Sequence, residues 1–248
     1  FLPLFSLLYL KKQIFLSIIY NIFIMLKYKN LTVVGTSHIS IESIKEVERT
    51  ILKTNPKIIA LELDQGRFSA LISNEKRGVR IKDIFKIGFK GFLFGLIGAW
   101  AEKKLGKLVN VSPGSEMKKA IELSKETSSS ISLIDQDIRI TLRNLSKNIT
   151  WKERFRFIFD LIKSPFIKPK IQFDLTKVPS DKIIRKLMSQ LKKNYPNVYK
   201  TLVLDRNKVM AKNLYNLTNN NPNMEIVAVI GAGHEKEIIN LIKKYEQH

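Results

Sequence analysis

The chain has 248 residues, of which 44% are hydrophobic, so one large α/β domain or a domain with an insertion can bury a core. It has no cysteine, which excludes disulfides, thiolate metal sites and cysteine nucleophiles; a metal would have to use His, Asp, Glu, water or carbonyl oxygens. The formal charge of +21 suits an anionic partner, but the lysines are scattered and no nucleic-acid recognition motif accompanies them, so nucleic acid is disfavoured.

Residues 1–26 form an apolar extension, and the folded domain is expected over 27–248. Phe1 is not a start residue, and Met25 is the first methionine. Lys11 and Lys12 split the apolar stretch into pieces shorter than the ~20 residues of a spanning helix. The extension therefore reads as upstream translated sequence or a ragged fragment, with an amphipathic membrane anchor as the alternative. A cytoplasmic or membrane-associated protein is expected, with no convincing transmembrane span.

Leu31–Val34 reads as a buried strand, and Ser40 as the cap of a helix whose apolar face is Ile41, Ile44, Val47 and Ile51. The stretch from Lys57 to Leu63 is a second strand, and the strand–helix–strand order predicts a parallel pair. The segment from Gln65 to Ser73 looks helical; Ile84–Trp100, rich in Phe and Gly, is expected to be a buried or capping helix pair. After a turn at Ser112–Ser115, a helix over Glu116–Lys125 buries Met117, Ala120, Ile121 and Ser124. A third strand covers Ile131–Ile134. Helices then dominate an insertion at about residues 140–220, including a basic aromatic one at Trp151–Ile162. Ile226–Ile230 is the last strand and Glu235–Tyr245 the last helix.

Two short segments share one grammar. Leu31–His38 (LTVVGTSH) and Ile226–His234 (IVAVIGAGH) each end an apolar strand in Gly-x-x-His before a helix. Only one other histidine exists, His248. Strand ends of this kind hold ligands in α/β sheets. Glu62, Asp64, Asp135 and Asp137 end the other two strands, so these groups can converge although distant in sequence. Bland alternatives stand beside each: Glu62 pairing with Arg67 or Arg139, Asp64 with Arg67 at i,i+3, Asp135 capping the helix of Arg139, and Asp205-Arg206-Asn207 pairing at the surface.

Val34-Gly-Thr-Ser-His-Ile-Ser40 followed by Ala60-Leu-Glu-Leu-Asp64-x-x-Arg67 resembles the opening of the TraB family, grouped with PrgY, GumN and the Tiki proteins. The resemblance continues through Pro113–Met117, Ile134–Thr141, Asp205-Arg-Asn-x-x-Met210-Ala211 and Val229–His234. It implies a central mixed or parallel sheet flanked by helices, of the erythromycin-esterase, ChaN and Tiki type. It also implies a metal-dependent peptidase using His38, Glu62 and His234, which would hold a divalent ion (Zn, Mn or Co). Asp135 is a further catalytic candidate, and Arg67, Arg139 or Arg206 could hold a substrate carboxylate or steady an oxyanion. TraB and PrgY are linked to shutting down peptide pheromones, so the expected partner is a peptide. The alternative is a non-catalytic peptide- or anion-binding protein at a membrane surface. Shared ligation would bring the two histidine rings within roughly 3–5 Å, since metal–ligand bonds are ~2 Å.

Overall fold

The computed structural model describes residues 26–37, 40–73, 114–163 and 181–247. His38 and the Phe/Gly-rich segment at Ile84–Trp100 lie outside them, as do residues 1–25.

A five-stranded sheet forms the centre, in the order β1-β2-β5-β3-β4. β1 (Leu26–Tyr28) runs antiparallel to β2 (Leu31–Thr36) through a tight turn in which Lys29 takes φ 54°. β2, β5 (Ile226–Gly231), β3 (Ile58–Leu61) and β4 (Ser130–Leu133) are mutually parallel. The sheet is thus mixed, as expected, but β2 and β3 are not the neighbouring pair that strand–helix–strand order suggested. The last strand, β5, slots between them and pairs with both.

Parallel strands buried on both faces read as continuous apolar runs, and the side chains alternate between two cores. On one face Leu31, Val33, Ile58, Ala60, Ile226, Ala228 and Ile230 pack against Met210, Ala211 and Leu214 of α8 (Asp205–Asn220) and Ile238 and Ile242 of α9 (Glu235–Tyr245). On the other, Val34, Ile59, Leu61, Val227 and Val229 meet Val47 and Ile51 of α1 (Ile41–Thr54) and Met117, Ala120 and Ile121 of α3 (Ser115–Glu126). Ser40 caps α1 by accepting from the Ser43 N–H. The inward face of α1 is Ser43, Glu46, Val47, Thr50 and Ile51, whereas Ile41 is exposed: the helix turns its Ser- and Thr-bearing side to the sheet. α3 buries the four residues expected of it. Asp64 caps α2 (Gln65–Ile72).

Between β4 and β5 the described residues are helical apart from short connections: α4 (Ile138–Asn148), α5 (Trp151–Lys163), α6 (Asp181–Asn194), α7 (Pro196–Tyr199), a π turn at Lys200–Leu204, and α8. Glu153 ties this region together. Its Oε2 accepts from the Thr150 N–H at 3.0 Å while Thr150 Oγ1 accepts from the Glu153 N–H at 3.3 Å, a reciprocal cap at the start of α5. The same carboxylate accepts from the Asn197 backbone at 2.8 Å and side chain at 3.0 Å, linking α5 to α7. Burial pushes the Glu153 carboxyl up, but these hydrogen bonds outweigh it and hold it below its ordinary 4.5. Glu153→Ala is expected to destabilise by about 2 kcal/mol at neutral pH, since it strips one acceptor from several buried donors. A depressed folded pKa contributes stability that is complete above the unfolded value and lost as pH falls through the folded one. The gap between wild type and variant should therefore narrow below about pH 4.5, which urea melts across that range would read.

Candidate functional site

Parallel β2, β5, β3 and β4 all end at one edge of the sheet, and there the chain places its polar groups. The two Gly-x-x-His corners leave adjacent strands one residue out of step, Gly35 opposite Ile230 and Thr36 opposite Gly231. The Ala232 N–H donates to the Thr36 carbonyl at 2.9 Å, so the β5 corner stays stitched to the end of β2. Substituting Gly35 would drive a Cβ into the Glu235 carboxylate, and a Cβ at Gly233 would stand 2.7 Å from Met188 Cε of α6. A larger residue at either position would require the Glu235 or Met188 side chain to move aside.

Behind the corners lies a buried chain of alternating charges. Asp135, with 1% of its side chain exposed, accepts from Arg206 Nε at 3.2 Å and Nη2 at 2.6 Å. It also accepts from Arg67 Nη2 and, at 2.8 Å, from the Gln136 N–H. Arg206 Nη2 reaches on to Glu62 Oε1, while Glu62 Oε2 accepts from the Gly231 N–H at 2.6 Å. Arg67 Nε donates to Asp64 Oδ2 at 2.7 Å, and Asp64 also accepts from the Gly66, Arg67 and Ile138 N–H groups. For both arginines burial works against the charge, but the flanking carboxylates, Glu62 and Asp135 at Arg206 and Asp135 and Asp64 at Arg67, outweigh it and hold the pKa above the ordinary value.

His234 closes the row. Its Nε2 lies 3.8 Å from Glu62 Oε1, and its Nδ1 lies 2.6 Å from Asn207 Oδ1. Glu62 and His234, from β3 and β5, therefore face each other at the sheet edge.

The site residues now have a frame. A model of the TraB/PrgY/gumN family matches residues 25–248. This chain belongs to that family. It is 41% identical over 214 residues to an uncharacterized protein of Methanocaldococcus jannaschii, covering 86% of this chain and 53% of the relative. It is 24% identical over 191 residues to a TraB domain-containing protein of Mus musculus and 22% identical over 187 residues to one of Homo sapiens. In both cases 70% of this chain and 49% of the relative align, so the chain spans about half the length of the curated relatives it matches.

Of the residues singled out in this TraB-family chain, Glu62, Arg67, Asp135, Arg206 and His234 converge. His38 lies outside the described residues, though its strand ends beside that of His234. Arg139 turns instead to Asp137, donating through Nε at 2.9 Å and through Nη2, with half its side chain exposed. That hydrogen bond, outweighing the opposing effect of burial, holds the Asp137 carboxyl below the usual carboxylate range. The cap of α4 is Asp137 rather than Asp135: standing next to the helix, Asp137 accepts the Arg139 N–H, and Asp135 is left to turn inward. Glu62 pairs with Arg206. Sequence reading gave Asn207, 1% exposed, only a surface role within Asp205-Arg206-Asn207, and it passed over the Gly231 N–H, which has no signature without the fold.

Proposed function

We propose that this chain is a metal-dependent hydrolase of peptides, of the kind that inactivates peptide signals, with its centre at the edge where Glu62 faces His234. The observation that supports this reading is the 3.8 Å between His234 Nε2 and Glu62 Oε1. That span is too long for a hydrogen bond, but it fits two groups that share an ion through bonds of about 2 Å. Charge points the same way: in this network three carboxylates, Glu62, Asp64 and Asp135, pair with two arginines, Arg67 and Arg206. An anionic excess of this kind suits a cation.

His38 would complete a two-histidine, one-carboxylate set. Such an ion would polarise the scissile carbonyl and ease ionisation of water. Glu62 fits the role of ligand better than that of base. Both its oxygens already accept hydrogen bonds, so a proton arriving on either would meet the Arg206 or the Gly231 donor. Arg206 and Arg67 are each engaged by two carboxylates, which suits them to fixing Glu62 and Asp135 rather than gripping a substrate. Arg67, a third exposed, is the one placed to touch a bound peptide. The test is metal content after loading with Zn, Mn or Co, together with cleavage of a peptide library. Wild type should hold one ion and cleave; His38→Ala and His234→Ala should hold less and cleave at background. Equal metal content in all three proteins would sink the assignment.

A second reading, a non-catalytic peptide- or anion-binding protein at a membrane surface, draws on α5. Trp151, Phe155 and Phe159 follow i, i+4, i+8 spacing and are 68%, 66% and 55% exposed. Residues 138–163 carry seven basic groups against two acidic ones. A basic, aromatic helical face suits an anionic interface. No helix among the described residues is long and apolar enough to cross a membrane. On this reading wild type floats with phosphatidylglycerol vesicles, and Trp151→Ser/Phe155→Ser weakens binding by at least roughly tenfold, because each buried aromatic is worth about 2 kcal/mol. Unchanged flotation of the double variant would leave only non-specific charge attraction.

A further inference from the structure

We propose that Asn207 is the positioning residue of this site: it fixes the His234 ring and its tautomer, with Nδ1–H toward Asn207 and the Nε2 lone pair toward Glu62. The proposal rests on the reading of His234 and Glu62 as ligands for what it means functionally, although the tautomer itself can be measured without any metal.

A neutral imidazole carries its proton on one nitrogen, and the neighbour of the other nitrogen decides which. Asn207 Oδ1, 2.6 Å from His234 Nδ1, can only accept. The proton therefore belongs on Nδ1. The amide could be imagined turned end for end, donating from Nδ2 to a bare Nδ1. The proton would then sit on Nε2, aimed at Glu62 Oε1. That Nε2–H would be expected to draw Glu62 in to the 2.7–3.2 Å of an N–H···O bond, whereas the two atoms stand 3.8 Å apart. At that separation Nε2 and Oε1 are not hydrogen-bonded to each other.

Asn207 is suited to the task. It is 1% exposed on α8, so water does not compete for Oδ1, and its own Nδ2 makes no hydrogen bond. It follows Arg206 directly, and Arg206 holds Glu62. One turn of one helix thus orients both facing groups, the long arginine reaching Glu62 and the short asparagine reaching His234. Consecutive helical positions point about 100° apart, so the two neighbours reach different partners from one turn. The π turn at Lys200–Leu204 leads directly into it, and the Leu202 carbonyl accepts from Arg206 Nη1 at 3.3 Å. Single π turns within helices recur at functional sites because they re-aim the following residues.

The experiment is ¹⁵N-histidine NMR on metal-free protein at a pH well above the ordinary imidazole range, with His234→Asn assigning the resonance, followed by titration with Zn alone. In wild type, Nδ1 should carry the proton and Nε2 should show the shift of a bare nitrogen. Asn207→Leu, similar in shape but without an acceptor, should move the proton to Nε2 and weaken Zn binding by roughly 10–100-fold, the usual effect of losing such a partner. Asn207→Asp, which keeps the acceptor, should retain the wild-type tautomer. A wild-type proton on Nε2, or an unchanged tautomer in Asn207→Leu, overturns the proposal. If Asn207→Leu does not fold, the wild-type spectrum and Asn207→Asp still decide. A tautomer that shifts as expected in a protein that binds no Zn, Mn or Co would uphold the positioning role and sink the ligand reading instead.

Discussion

Arg206→Met is expected to be the most damaging single change to stability, about 3–5 kcal/mol, because it removes the cation shared by two buried carboxylates. Glu62 and Asp135 have side-chain exposures of 3% and 1%, so neither can turn to water for compensation. Methionine fills much of the volume, which confines the loss to charge and hydrogen bonding. Arg67 still reaches Asp135 after the change, but Glu62 loses its arginine while keeping the Gly231 N–H. For a domain of this size about 4 kcal/mol lowers Tm by roughly 10 °C. Arg206→Lys should recover only part: an ammonium cannot fork across Asp135 and reach Glu62 in one plane. Replacing all three members with apolar residues should cost less than Arg206→Met alone, since the penalty lies in the orphaned charges. Thermal melts of the three proteins check this; a Tm within 2 °C of wild type for Arg206→Met would show that the network is not what holds the edge together.

The edge was legible in the sequence wherever local pattern decides. Apolar runs ending in Gly or in an acid marked the four parallel strands, and their common direction brings His234, Glu62 and Asp135 to one side. What stayed hidden depends on contacts between distant positions. Asp205-Arg206-Asn207 sits in a helical pattern and reads as surface, because its partners are 71 and 144 residues away along the chain. The alternation of acids in Asp135-Gln-Asp137 does not say which one caps the helix and which turns inward; the helix start decides it. Placing β2 beside β3 failed for a related reason: sequence order favours the nearer strand, whereas β5, the last strand in the chain, lies between them and pairs with both. β1 is only three residues long and contains a lysine, too short a pattern to stand out from the apolar extension before it.

Glu62→Gln should strongly weaken metal binding and peptide cleavage while leaving a folded protein, and it separates the two functional readings. A glutamine retains the shape but must place its NH₂ on one of two positions that the carboxylate now fills. At Oε2 it would meet the Gly231 N–H, and at Oε1 the Arg206 guanidinium, so either orientation sets donor against donor. One clash of this kind costs about 1–3 kcal/mol, less than the loss of Arg206. The larger effect is on metal. Removing the charge and half the acceptor capacity should weaken binding by at least roughly 100-fold, given that outer partners alone are worth 10–100-fold. Peptide cleavage should fall by the same factor at limiting metal and recover in part when metal is raised. That recovery belongs to a lost ligand; a lost general base would leave metal bound and turnover absent at every concentration. A Glu62→Gln protein that cleaves peptide and retains metal like wild type would remove Glu62 from the chemistry altogether, and would leave the buried network as a structural device beneath a binding surface.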